Sequence, residues 1–379
     1  MKAILSTDLL GSALSRCYDA CEKKASESIV KLSFKDSKLL LSAKGAFSYY
    51  EEEMSTISVD NDSEFCIKTV TLLEFVKYIS SESLIMVYDE EKKSCLVSSS
   101  DKKSKLALQI AEVTVELGQM PNYQVEFDVD NAHEFIAKLN YASKFCSNNF
   151  QDYPLTAICC EADIDNFTIQ STNGPYYYSS EIKINNQQNA MQIFLPKKSA
   201  SILKNVFHEQ LFDKCSISHR AVLFESNNCK LIFFVLESNN TFPDQVSDWI
   251  KKDSQASIKV SVYELSKTLK FFNGVFQDAS VNFNIKDNKL TLESKQNNVA
   301  SKESVVVEEC TGDAKSAYNA KYFLDCLESL QSSWVNLDFI EMSTDFYLCK
   351  LTHGETLILL CPTTFYKANL FLFLKNFLN

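Results

Sequence analysis

Four histidines, thirteen cysteines and seven glycines are the residues of this 379-residue chain that could support catalysis, metal binding or a phosphate cradle, and their spacing favours none of these. His133, His208, His219 and His353 form no HExxH or HxH pair, and the cysteines form no CxxC, so no zinc-type ligand set is written locally. No two glycines stand close enough for GxG, which removes the phosphate loop and the dinucleotide fingerprint. No GxSxG elbow is present. Cys17 and Cys21 share a helical face at i, i+4, and Cys159 and Cys160 are adjacent; both pairs read as small apolar side chains in a core. A Cys nucleophile whose His partner meets it only in space stays open at this stage. No cofactor and no metal is expected, and the chain reads as a non-enzyme.

The remaining chemistry is electrostatic. A net charge of −11 argues against coating nucleic acid over the whole surface and leaves room for a local basic face. On the six helical segments named below, Lys and Arg slightly outnumber Asp and Glu, so the acidic surplus lies elsewhere. That asymmetry suits helices facing a polyanion, although ordinary solvated helix faces would also produce it. Arg16 and Arg220 are the only arginines among many lysines, which reads as nucleotide-composition bias. With 45% apolar and 23% charged residues the chain is an ordinary globular one, long enough for two or three domains. An odd number of cysteines without framework spacing fits a reducing compartment and predicts no disulfide. MKAILSTDLLGSAL has no secretory pattern, and the longest apolar run, Asn369 to Leu374, is too short to span a bilayer, so a cytoplasmic protein without membrane association is expected.

Helical periodicity predicts the elements that would carry such a face: Thr7 to Cys21, opened by a Thr or Asp cap, then Val70 to Ser80, Asp130 to Phe145, Lys197 to His208, Ser261 to Phe272 and Asn319 to Leu330. Alternation predicts strands over Ser28 to Phe34, Leu39 to Leu41, Cys215 to Phe224 and Val281 to Ile285. Pro121 with Asn122, and Lys251 to Ser254, read as linkers. The phrase KLLLSAKG from Lys38 returns as NFTIQSTN from Asn166 and KLTLESKQ from Lys289, a period near one third of the chain. Each third then holds two helices and many strands, with boundaries at 1–122, 123–251 and 252–379.

The stretches SVYELSKTLKFF, VNFNIKDNKLTLES, AYNAKYFLDCLESL and LILLCPTTF follow the order and spacing of the third domain of bacterial sliding clamps. FTIQSTNGPYYYSSEI is similar to that family's ATDGHRLA segment and FVLESNNTFPDQV to its LIEGRFPDY segment, so the resemblance covers nearly the whole chain. It implies an α+β fold of three repeated domains, each two helices packed on antiparallel sheets. It implies a head-to-tail homodimer, a ring around duplex DNA read without regard to sequence. The partners it implies are the replicative DNA polymerase, a clamp loader and other proteins with QLxLF-like motifs.

Carried over residue by residue, the resemblance places DNA contacts at Lys24, Lys77, Lys138, Lys197 and Lys198. It places a peptide pocket at Leu155, Thr172, Gly174, Pro175, Tyr176, Tyr177, Pro243, Val246, Leu359 and Cys361. It places the dimer seam at Lys103, Lys105, Leu106 and Leu108 of one chain against Val275, Phe276 and Glu303 of the other. The sequence departs from the family where Asp-Gly-His-Arg becomes Asn173, Gly174, Pro175, Tyr176, where Met-Pro-Met becomes Cys361, Pro362, Thr363, and where the acidic seam cluster thins to Ser301, Lys302, Glu303. Core packing of the tyrosines is the alternative reading, and a clamp-like scaffold with altered partners is the rival function. An extension, residues 366–379, continues past the point where the family's chains end and contains NLFLF, similar to the family's partner motif. It could fill the pocket in cis or pack on the outer surface.

Overall fold

The computed structural model describes residues 1–21, 28–118, 122–149, 155–185, 190–208, 211–236, 245–343 and 346–363. It divides into two compact units, one of residues 1–137, 162–165 and 184–237, the other of 138–161, 166–183 and 238–379.

Seven helices are described: α1 Thr7–Ala20, α2 Thr69–Tyr78, α3 Ala132–Phe145, α4 Ser199–Val206, α5 Gln245–Ile250, α6 Val262–Val275 and α7 Ala320–Ser329. Side-chain caps set the starts of α1, α3, α6 and α7, whereas α2 and α4 begin without one. Ser6, one residue before the expected cap, accepts from the Leu9 amide at 3.5 Å, and Asn131 accepts from Glu134 at 3.2 Å. Ser261 accepts from Glu264 at 3.4 Å and Asn319 from Tyr322 at 3.1 Å. The short α5 has no predicted counterpart; too few residues carry its period. Leu10, Ala13, Leu14 and Cys17 form the fully buried stripe of α1, which packs on strands Lys38–Lys44 and Ser48–Ser55.

The first unit holds two antiparallel sheets. The smaller runs Ser58–Val59, Lys2–Ser6, Ser83–Asp89, Ser94–Ser99, Lys105–Gln109. The larger runs Val125–Asp128, Lys214–Ile217, Ala221–Glu225, Cys229–Phe234, Ser48–Ser55, Lys38–Lys44, Ile29–Lys35, Ser63–Lys68. The second unit repeats the plan. Eight strands follow in the order Ala157–Ala162, Asn166–Thr172, Tyr176–Lys183, Thr356–Leu360, Phe346–His353, Trp334–Ser343, Ala256–Ser261, Val307–Thr311. Beside them lies a sheet of Val299–Val305, Lys289–Gln296, Ser280–Lys286 and Ala314–Asn319.

All three copies of the repeated phrase are strands with a neighbour on each side. Lys38–Lys44 lies between Ile29–Lys35 and Ser48–Ser55, and Lys289–Gln296 between Ser280–Lys286 and Val299–Val305. Asn166–Thr172 lies between Ala157–Ala162 and Tyr176–Lys183. The turns entering the first and third copies match in sequence and shape. KDSK and KDNK pair Lys35 with Lys38 and Lys286 with Lys289, and Asp36, Ser37, Asp287 and Asn288 all have positive φ, the two-residue turn that fits strand twist.

The single strand expected over Cys215 to Phe224 is instead a hairpin, with Ile217 paired to Val222. No Gly, Asn, Asp or Pro marks its turn. The Ser218 hydroxyl holds it by accepting from the amides of Ala221 at 2.9 Å and Arg220 at 3.3 Å. All thirteen cysteines are free thiols.

Candidate functional site

On the helical side of the first unit, α1 packs against α2 and α4. Gly11 permits the approach to α2, since a Cβ there would stand 3.3 Å from Val76 Cγ1. Between these helices opens a cleft of about 690 Å³ lined by Ser12, Arg16 and Asp19 of α1, Lys77 of α2, and Lys204 with His208 at the end of α4. Lys77 is exposed and forms an ion pair with Glu74 at 3.5 Å. Lys197 and Lys198 stand at the start of α4, whose first turn carries no acid, and Lys198 is exposed. Lys204 and His208 follow Lys197 at i+7 and i+11; that shared helical face is the signal in the sequence that would have added them.

Arg16 lines the cleft but is committed elsewhere. Its Nε donates to Glu52 Oε2 at 3.0 Å and its Nη2 to Oε1 at 2.5 Å, and the Tyr50 hydroxyl donates to Glu52 Oε2 at 2.5 Å. Burial pulls the Arg16 pKa down, but the hydrogen bond and charge of Glu52 outweigh it, and the net shift is upward. Lys138 on α3 is half-buried and donates to the Glu181 carbonyl at 2.6 Å. Lys144, which sequence reasoning missed, lies 3.8 Å from Glu328 with its ammonium 5.4 Å from the centre of the Tyr141 ring. Lys24 lies outside the described residues.

In the second unit, Thr172, Tyr177 and Leu359 are successive cross-strand partners and so share one sheet face. The opposite face is the helical one, where Ser171 donates to the Ala142 carbonyl of α3 at 2.7 Å. Thr172 Oγ1 accepts from the Gly174 amide at 3.1 Å and donates to the Tyr176 carbonyl at 2.9 Å, while the Cys361 amide donates to the Pro175 carbonyl at 2.9 Å. Gly174 has φ +94°. A hairpin and the strand end are thus tied side by side.

Tyr176 alternates away from this face. Its ring meets Phe145 edge-on at 4.8 Å and Tyr322 at 5.0 Å, so it packs under the helices, as the core-packing alternative expects. Tyr177 stays on the outer face. Its phenol is pushed up to about 12, by burial first, with Glu161 and Glu181 adding to the shift. Leu155, Val246 and Cys361 are buried in the same unit. Pro243 and the extension 366–379 lie outside the described residues.

Two strands expected at a seam lie at sheet edges. Lys105–Gln109 is outermost in its sheet, with Lys105 exposed, Leu106 half-buried and Leu108 buried, while Lys103 is 3.5 Å from Asp101. Val299–Val305 is outermost in another, with Glu303 exposed. Val275 is exposed, but Phe276 is buried and stacks on Phe272 at 6.1 Å. Phe271, one helical turn before Val275, takes its place at the surface beside Val275, a spacing that sequence reasoning passed over.

Burial raises the pKa of Cys17, Cys215, Cys326 and Cys349, the opposite of the activation a nucleophilic thiol needs. Among the described residues no group of three His, Cys, Asp or Glu is placed to hold a metal, and no helix is long and apolar enough to cross a membrane.

Repeated two-helix units on antiparallel sheets, with edge strands in the first and last thirds, define the fold class of clamp proteins. Residues 249–356 match the family described as DNA polymerase III beta subunit, C-terminal domain. The whole fold is similar to that of the beta subunit from DNA polymerase of Streptococcus pyogenes, with TM-score 0.83 and 15% identity over 96% of this chain and 100% of that one. It is similar to DNA polymerase III beta subunit of Thermotoga maritima, with TM-score 0.82 and 17% identity over 95% and 98%. A Helicobacter pylori beta clamp bound to a DNA ligase peptide gives TM-score 0.81 and 16% identity over 96% and 99%. No curated protein matches the sequence.

Proposed function

We propose that the chain is a sliding clamp, a non-catalytic processivity factor that closes a head-to-tail homodimeric ring around duplex DNA and tethers a polymerase to it. The carrying observation is the clamp fold over 96% of the chain together with a beta-subunit match in its last third. The repeated strands support three domains, 1–122, 123–251 and 252–379.

Ring closure needs two free edges, and the edge strands of the first and last domains are the natural pair. Two other strands carry a connector along their outer side: the Ala111 amide donates to the Cys66 carbonyl at 2.8 Å and the Leu236 amide to the Phe194 carbonyl at 2.9 Å. Val299 is 52% exposed on one edge strand, and Leu106 lies half-buried on the other. Apolar contact dominates this seam, since Lys302 already forms a pair with Glu293 at 2.6 Å.

Lys77, Lys197, Lys198 and Lys204 hold DNA by screened attraction, which carries no sequence information and permits sliding. The Thr172–Tyr177–Leu359 face takes an apolar partner peptide from a polymerase, clamp loader or ligase; a Helicobacter pylori beta clamp of the same fold is bound to a DNA ligase peptide. Sedimentation tests the ring. The wild type should run as a dimer, and Leu106→Asp, which places an unpaired charge at the seam, should run at 43.0 kDa. A monomeric wild type at micromolar concentration would leave no ring and end the reading.

A further inference from the structure

In the first unit, the face of the larger sheet turned away from α1 repeats the construction of the Thr172–Tyr177–Leu359 face. Lys44, Tyr49 and Ile232 are successive cross-strand partners there. The Phe234 amide donates to the Phe47 carbonyl at 2.8 Å, as the Cys361 amide does to that of Pro175 at 2.9 Å. Tyr49 and Tyr177 are separated by the same offset as the KLLLSAKG and NFTIQSTN strands. The first-unit face is covered by the chain itself. Residues 111–117, AEVTVEL, follow strand Lys105–Gln109; Val115 joins Tyr49, Cys66, Leu223 and Ile232 in one apolar cluster, and Ala111 and Leu117 pack against it.

This cover is held as a docked extended peptide is held, by apolar side chains two residues apart and a bond near each end. The Ala111 amide donates to the Cys66 carbonyl at 2.8 Å, and Lys44 Nζ donates to the Glu116 carbonyl at 3.2 Å. Between them, among the described residues, the backbone of residues 112–114 makes no hydrogen bond, and Val113 is 55% exposed. Nor does the segment lie flush on the sheet. A cavity of about 330 Å³ separates residues 110–116 from Lys31, Glu64, Phe65, Cys66 and Tyr88, with Phe65 stacked on Tyr88 at 4.4 Å as its apolar wall. The charges are complementary. Glu112 pairs with Lys93 at 2.6 Å, and Glu116 adds to the upward shift of Lys31, whose first partner is Glu64 at 2.9 Å.

We propose that the Lys44–Tyr49–Ile232 face is a second peptide-binding site, held closed by residues 111–117, and that it takes an extended acidic peptide with apolar side chains two residues apart, which displaces them. The chemistry of the occupant is read from the segment that fills the site now: Val115 and Leu117 supply the apolar pair, Glu112 and Glu116 the charge that meets Lys31, Lys44 and Lys93. The open cavity gives an entering peptide contact with Phe65 and Tyr88 before the connector leaves. Tethering keeps the connector in place when no peptide is present, since a short link supplies an effective concentration in the millimolar range. The inference stands on the first unit alone and does not depend on whether the second unit's face takes a partner.

The probe is a fluorescein-labelled Ile-Ala-Glu-Val-Thr-Val-Glu-Leu-Gly peptide, the sequence of residues 110–118. Its binding to wild type is compared with binding to full-length chain carrying Val115→Ser with Leu117→Ser, whose connector no longer has its apolar anchors. A connector docked about nine-tenths of the time gives a roughly tenfold lower Kd for the variant. If the serine variant loses amide protection in strand Ser48–Ser55, Val115→Ala with Leu117→Ala is read in its place, with a smaller shift in the same direction expected. Equal Kd values, or a peptide bound by neither protein, overturn the site. In a second measurement the probe carries a benzophenone amino acid in place of its second valine, and the adducts formed on photolysis with the variant are mapped by mass spectrometry. The proposed site gives adducts at Tyr49, Cys66 or Ile232. Adducts at Thr172, Tyr177 or Leu359 assign the peptide to the second unit, which overturns this proposal and leaves the partner-site reading standing; adducts anywhere else overturn it as well.

Discussion

Glu52→Gln is the substitution that most directly tests how α1 is held on its sheet. Glu52 is 4% exposed in its side chain and Arg16 14%, so the pair is almost fully desolvated. The carboxylate accepts three hydrogen bonds, two from the guanidinium and one from Tyr50. Glutamine keeps the shape but turns an amide NH2 toward a donor and leaves the guanidinium buried without a counter-charge. Breaking such a pair from one side costs about 3–5 kcal/mol. At about 1.4 kcal/mol per factor of ten, the lower figure makes local opening on the order of 100-fold more frequent.

Tryptophan emission is the wrong probe, because Trp249 and Trp334 both lie in the other unit. Amide hydrogen exchange of α1 and of strand Ser48–Ser55 reads the opening directly. The double variant Arg16→Met with Glu52→Leu removes both charges and should recover most of the protection, since a well-packed apolar pair often matches a buried ion pair. Unchanged protection in Glu52→Gln, or a double variant as damaged as the single one, would refute the reasoning.

Lys197→Glu with Lys198→Glu is expected to weaken retention on nicked circular DNA, most at low salt; if each lysine meets one phosphate, the slope of log K against log salt falls by about 2. An unchanged slope assigns these lysines to solvent. For Asp325, burial raises the carboxyl pKa, with Lys321 and Lys144 opposing and Glu328 adding. A carboxyl raised in the folded chain stabilises it below the unfolded value, and that contribution is lost as pH rises through the folded value. At pH 7 the ionised group is therefore unfavourable, and Asp325→Asn should raise the midpoint of a melt followed by Trp334 emission. The gain should vanish below the ordinary aspartate value of about 3.9; equal melts at pH 7 would count against it.

Local pattern and face assignment differ in what they require of a sequence. Helix periods and the KDSK and KDNK turns depend on neighbours a few residues away, so α1, α3, α6 and α7 and the repeated strands are legible in the amino-acid order alone. The hairpin inside Cys215 to Phe224 is not, because a serine hydroxyl replaces the usual turn residues. A site residue must also face the right way, and a shift of one position reverses that. Tyr176 and Tyr177 stand together in the chain, yet one packs on Phe145 and Tyr322 while the other joins Thr172 and Leu359. Phe276 and Phe271 show the helical version of the same problem, since only packing decides which of two phenylalanines points inward. The burial of Arg16 is subtler still: its partner, Glu52, sits 36 residues away on a strand whose neighbouring acids, Glu51 and Glu53, look no different in sequence. Strand parity separates them, because Glu52 alternates with Tyr50 toward α1 while Glu53 reaches Lys38 at 2.6 Å on the solvent side.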